Sequence, residues 1–158
     1  MAEPLSDQIL RMARGLDELY HRLILVVAPS GAGKTTALLK VHERTGKPVM
    51  NVNLELSSLM LGLTQRQRAL QTPRLLQRLV DKNSDNMILL DNIELLFDVN
   101  LKQDPLRLLQ GLSRNKRVVA SWNGAVRDGF LTYAVPDHPE YRRYPMHDFL
   151  VASPEVTI

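Results

Sequence analysis

The sequence predicts an α/β fold, a mostly parallel sheet with helices on both faces, and three observations predict it. Short continuous apolar runs alternate along the chain with stretches whose leucines recur at helical spacing. The intervals between the runs are long enough to hold a crossover helix, which parallel strands require. A glycine-rich turn joins the first apolar run directly to a helical stretch. The size agrees: 158 residues with 44% hydrophobic and 23% charged content is one ordinary globular domain. No repeat or low-complexity tract divides it, so a single domain is expected over 1–158.

Taken in order, Ser6 as N-cap and the apolar stripe Ile9, Leu10, Ala13, Leu16, Leu19 and Tyr20 predict an N-terminal helix within 1–21. The period then changes, and Leu23 to Val27 reads as a strand buried on both faces. After the glycine turn, Thr35 to Arg44 reads as a helix closed by Gly46, and Pro48 to Asn53 as a second strand. Two helices are expected between Leu54 and Asn83, the second capped by Thr72 with Pro73 at its first position. Met87 to Leu90 forms a third strand ending in Asp91, and a short helix follows from Ile93. Asp104-Pro105 opens a helix over Leu106 to Ser113, and Arg117 to Ser121 is a fourth strand. The stretch 124–158, with Pro136, Pro139 and Pro145, predicts a loop-rich arm before a last strand near Phe149 to Ala152.

Composition excludes several function classes. There is no cysteine, hence no disulfide framework, thiolate metal site or cysteine nucleophile. No apolar run approaches the roughly 20 residues of a membrane helix, and the acidic start lacks the pattern of a signal peptide. A cytoplasmic protein without membrane contact is the expectation. The formal charge of +3 permits contact with nucleic acid without demanding it. Arg66, Arg68, Arg74 and Arg78 are bunched, either as a solvated helix face or as a direct DNA contact.

The chemistry concentrates in Ala28-Pro29-Ser30-Gly31-Ala32-Gly33-Lys34-Thr35-Thr36, the phosphate-binding loop pattern G-x-x-x-x-G-K-[ST] with Ala28 in place of the first glycine. Glycines let successive N–H groups wrap a phosphate chain, and the following helix N-terminus adds its dipole. Ser30, Gly31, Ala32, Gly33, Lys34, Thr35 and Thr36 are therefore the expected binding residues for ATP, with Lys34 on the β and γ phosphates. Thr35 and Asp91, the latter at the end of the third strand as a Walker B aspartate, are the expected Mg²⁺ ligands.

Hydrolysis also needs a group that orients water and takes its proton. Many ATPases of this architecture place a glutamate directly after the Walker B aspartate. Here the position holds Asn92, whose amide orients water but accepts no proton. Glu94 and Glu55 are the candidate bases, and slow or partner-dependent hydrolysis is the expectation. Asn123, after the fourth strand, resembles the sensor position of AAA+ and other additional-strand ATPases, where an Asn or Thr contacts the γ phosphate or the attacking water. The alternative for Asn123-Gly124 is a plain turn. Trp122 is read as packing. Arg114, Arg117 and Arg127 are candidates for the cation that completes such sites. The expected architecture is a three-layer α/β/α P-loop NTPase fold, strand order 5-1-4-3-2 along the sheet, without a helical lid domain.

Several further stretches, Val52 to Ser57, Leu90 to Phe97, Gln103 to Leu109 and Tyr141 to Pro145, together with the phosphate loop resemble the BrxF family. These are the small P-loop proteins of type-three bacteriophage exclusion (BREX) defence systems. The resemblance implies a bacterial protein that acts against phage with other BREX subunits, its contact with DNA mainly indirect. A homo-oligomer is compatible with it. Rival readings are a nucleotide-gated module with negligible turnover, a small-molecule kinase, and a basic DNA-contacting subunit.

Overall fold

The structure, a computed structural model, describes residues 3–154. Residues 1–2 and 155–158, the outer ends of the expected domain, N-terminal helix and C-terminal arm, lie outside the described residues. Five strands form the body of the sheet: β1 (Leu23–Ala28), β2 (Val49–Asn51), β3 (Met87–Asp91), β4 (Arg117–Arg127) and the last strand, β7 (Leu150–Ala152), with β5 (Phe130–Tyr133) and β6 (Arg142–Pro145) between β4 and β7 in the chain. Across the sheet they run β2-β3-β4-β1-β7, all parallel. Counting these five along the chain, that is the order 5-1-4-3-2 expected from the sequence.

The apolar runs are continuous because each strand is buried on both faces. In β1, Leu23, Leu25 and Val27 enter one core cluster while Ile24 and Val26 enter the other. Helices α1 (Leu5–Ala13) and α2 (Lys34–Thr45) cover the second face, and α3 (Val52–Met60), α4 (Gln65–Asp81) and α5 (Pro105–Leu112) the first. Three layers result. Each fully buried Leu, Ile or Val adds about 1.5–3 kcal/mol, so this double-sided burial fixes the positions of the strand ends.

Four local expectations are corrected. The N-terminal helix ends at Ala13, and Leu16–Glu18 is a separate 3₁₀ turn after Gly15; Ser6 lies buried inside the helix, whose N-cap is Pro4. β2 ends at Asn51, whose side chain caps α3 by accepting from the Leu54 N–H at 3.0 Å, so Val52 and Asn53 are helical.

The Thr72-Pro73 pair does not start a helix. α4 is capped by Thr64, which forms a reciprocal capping box with Gln67, and it continues through Pro73. Proline removes the N–H that Ala69 would have received. Gln103 replaces it, donating from Nε2 to the Ala69 carbonyl at 2.7 Å, while the Thr72 hydroxyl donates to the Arg68 carbonyl at 2.6 Å.

The C-terminal arm keeps its loop 134–141 and its expected last strand β7, but it also carries an antiparallel hairpin that was not expected. β4 runs on past Ser121 to Arg127 and folds back through Asp128-Gly129 into β5, which pairs with β6, both antiparallel. Asp128 and Gly129 have φ of 53° and 80°, the left-handed pair of a tight hairpin turn. Gly124 lets the strands close: a Cβ there would stand 1.8 Å from the Thr132 carbonyl oxygen. Beneath the hairpin Trp122 donates from Nε1 to that same carbonyl at 3.0 Å. Phe97 stacks on Tyr133 with ring centroids 3.5 Å apart and meets Trp122 edge-on at 5.0 Å. Trp122 is thus a core residue.

Candidate functional site

The parallel register brings the carboxyl ends of the central strands to one edge, with Ala28 beside Asn123 and Asn51 beside Asp91. Ligands bind at this edge in open α/β sheets. A cavity of about 300 Å³ opens there, bounded by the turn after β1 (Ser30, Gly31, Gly33), the start of α2 (Lys34, Thr35, Thr36), and Asp91, Asn92, Glu94, Ser121 and Asn123.

The turn has the conformation its glycines permit. Gly31 and Gly33 take φ of 81° and 92°, left-handed values that a side chain would strain. Ala28, in the place of the pattern's first glycine, is still in β1 and paired with Asn123, so that position needs no such freedom. Lys34 is 6% exposed, and its Nζ donates to the Ala28 and Pro29 carbonyls at 2.9 and 2.7 Å. Burial lowers its pKa, opposed by the charges of Glu94 and Asp91.

Asp91 is the hub of the site. Its Oδ2 accepts from the Thr35 hydroxyl at 2.7 Å, and its Oδ1 from the Ser121 hydroxyl at 2.8 Å and the Asn92 N–H at 3.0 Å. Ser121 is a participant that sequence reasoning missed. Its position one strand over from Asp91, implied by the strand order, is the signal that points to it. Thr35 and Asp91 present hard oxygen donors side by side, the donor type that Mg²⁺ takes. Among the described residues no cluster of three acidic or histidine side chains stands ready for a metal.

Glu94 lies half-buried in the cavity wall at the start of a 3₁₀ turn (Glu94–Phe97). Burial raises its pKa above the usual carboxylate value, and the nearby charge of Asp91 adds to the shift. Its loop is held by Asn53, the second residue of α3. The Asn53 N–H donates to the Asn92 carbonyl at 2.8 Å, its Oδ1 accepts from the Leu95 N–H at 2.7 Å, and its Nδ2 faces Glu94 Oε1 at 3.5 Å. Asn92 has φ of 52°, a left-handed value asparagine tolerates, and it lines the cavity. Asn53 was not singled out from the sequence, because reading β2 as far as residue 53 conceals that it starts a helix.

The other candidates separate. Asn123 lies in β4 and in the cavity wall, so Asn123-Gly124 is not a turn. Glu55 does not join the site: α3 starts early and turns this residue to an exposed face beside Pro48 and Lys82. Arg117, the first residue of β4, pairs with Asp17 at the opposite sheet edge through Nε at 2.9 Å and through Nη2. Arg114 lies over the Tyr20 ring, 5.7 Å from its centroid. Neither reaches the cavity. Arg127 lines a neighbouring cavity that shares Ser30 and Asn123 with the first.

The four arginines of α4 do not form one face. At 100° per residue Arg66 and Arg68 project about 160° apart, and Arg68 turns back to donate to the Leu63 carbonyl at 3.1 Å. No helix among the described residues is long and apolar enough to cross a membrane.

No protein-family model and no curated protein matches the chain. Among solved structures the chain is similar to PCH-2 from C. elegans, with 16% identity and a TM-score of 0.43. The likeness covers 78% of this chain and 38% of that one, so this chain spans well under half the length of that protein. The architecture itself is a P-loop NTPase-like α/β fold with a mostly parallel sheet.

Proposed function

We propose that this chain binds ATP with Mg²⁺ at the edge of its parallel sheet, hydrolyses it slowly or under a partner's control, and works as a subunit of a BREX anti-phage system. The observation that carries the nucleotide reading is the 2.7 Å hydrogen bond from Thr35 to Asp91. It joins the end of the phosphate loop to the tip of β3, as the chemistry of a phosphate-bound magnesium requires. The BREX assignment is supported by the sequence resemblance alone, in the Asp-Asn-Ile-Glu-Leu-Leu-Phe segment above all.

The chain's own groups divide the work as follows. Backbone N–H groups from Gly31 to Thr36 receive the phosphate oxygens at the start of α2. Lys34 exchanges its two loop carbonyls for phosphate oxygens, and the depressed pKa that burial gives it rises again beside added negative charge. Thr35 and Asp91 would hold Mg²⁺, which would supply neutralisation of the phosphate charge. Asn123 and Asn92 donate hydrogen bonds that orient water. Glu94, its pKa raised toward that of an effective base, takes the proton. Asn53 aims Glu94 through the three contacts described above.

A second reading is favoured by Asn92, which stands where a directly acting carboxylate is expected. In that reading the chain is a nucleotide-gated module whose contacts with partners change on binding. Phosphate release by the purified protein, alone and with its co-purified BREX subunits, separates the two. Turnover that Glu94→Gln abolishes while ATP binding persists supports the ATPase. Tight binding without turnover in either mixture supports the module. For the biological role, a bacterium carrying the BREX cluster loses phage protection when Lys34→Ala replaces the natural chain; full protection by that variant contradicts the role.

A further inference from the structure

The second cavity, about 520 Å³, lies between the phosphate loop and the root of the β4–β5 hairpin. It falls within the roughly 300–1,000 Å³ of sites that hold small organic ligands. Alternation along β4 builds it. Trp122 points into the aromatic core, whereas Asn123, Ala125 and Arg127 share the face turned to the cavity. Gly124 and Ala125 leave the floor open. Pro29, Val135 and Pro136 give apolar walls, Tyr141 adds a ring, and among the described residues Arg127 is the one charged side chain in the lining. Among the described residues no carboxylate lines the cavity and Arg127 makes no ion pair.

Its position says which molecule enters. On the nucleotide reading, Asn123 and Glu94 lie at the terminal phosphate, and Asn123 is shared by the two cavities. The nucleoside then leaves by the other end of the loop, and this cavity faces the terminal phosphate from outside. We propose that it binds a free small organic anion, an apolar body lodged over Ala125 with its charged group on Arg127, next to the terminal phosphate of the bound nucleotide. Its placement beside the phosphate rests on the nucleotide reading; the existence of an anion site does not.

The test uses the full chain and 1-anilinonaphthalene-8-sulfonate, an apolar ring system with one sulfonate, read by fluorescence and first without nucleotide. Saturable one-site binding is expected, weakened about tenfold by Arg127→Gln, which removes a charge-assisted contact. Ala125→Leu, which fills the floor, is expected to abolish it, and Arg66→Gln on α4 to leave it unchanged. If Ala125→Leu fails to fold by circular dichroism, Arg127→Gln decides. Probe binding equal in wild type and Arg127→Gln overturns the proposal. So does competitive displacement of the probe by Mg·ATP, which would make the cavity the nucleoside's own pocket. Because the first arm contains no nucleotide, its failure is distinguishable from a failure of ATP binding at Lys34.

Discussion

The two halves of β4 are built on different principles. From Val118 to Ala120 the strand lies between β1 and β3, buried on both faces, and its neighbours fix where each residue stands. From Gly124 to Arg127 it has a single antiparallel partner and is partly exposed, and an aromatic cluster and one glycine hold it. The first half positions reactive groups by backbone register. The second half depends on side-chain packing, and Trp122 connects the two. The candidate site therefore sits where redundancy is greatest, at the tips of the parallel strands, and the hairpin is the part that a single substitution can detach.

That contrast is open to attack at both ends. The largest effect is expected in the cavity at the strand tips, which the rigid half frames: Glu94→Gln should lower turnover about 10²- to 10⁴-fold, the usual contribution of a general base, with ATP affinity retained. Single-turnover phosphate release checks it. At the other end, Gly124→Ala puts a Cβ 1.8 Å from the Thr132 carbonyl. Overpacking of this kind costs about 1–3 kcal/mol, and urea unfolding should show it while Lys34-dependent nucleotide binding survives in the folded fraction. Loss of nucleotide binding in that folded fraction would show that hairpin and site are one unit. Gln103→Ala leaves the Ala69 carbonyl without its donor and should cost about 1–2 kcal/mol; the matching double variant with Pro73→Ala, which restores the helix N–H, should recover most of it.

The smallest effect is a shift in a pH profile. Burial and Asp91 raise the pKa of Glu94, and a base works only when deprotonated. Turnover should therefore fall on acidification at a pH above the ordinary carboxylate range, and the residual rate of Glu94→Gln should lack that limb. A wild-type profile that falls only in the ordinary carboxylate range contradicts the burial of Glu94.

How much of this was legible in the sequence follows the same division. Strands buried on both faces write continuous apolar runs, so β1, β3 and the first half of β4 were readable, as was Asp91 at a strand tip. The hairpin strands are short and half-exposed, with Pro136 and Pro139 between β5 and β6, and they resemble loop. Asp128-Gly129, a strong hairpin signal, stood in the sequence and was not singled out. Thr72-Pro73 carried a genuine helix-start signature, overridden by a better cap at Thr64 and by a distant glutamine that no local pattern reveals. Asn53 and Ser121 were missed because their roles depend on neighbours across the sheet. Sequence spacing names the ends of strands well but not what folds back over them.

On the proposed reading, nucleotide phosphates bind where Lys34, Thr35 and Asp91 converge. Titration calorimetry of Mg·ATP into the wild-type chain, Lys34→Ala and Asp91→Ala tests it most directly. One site per chain is predicted, weakened at least about tenfold by Lys34→Ala through loss of a charge-assisted phosphate contact. Asp91→Ala should weaken it with Mg²⁺ present and much less without. No binding to the folded wild-type chain, or equal binding by all three proteins, would contradict the account.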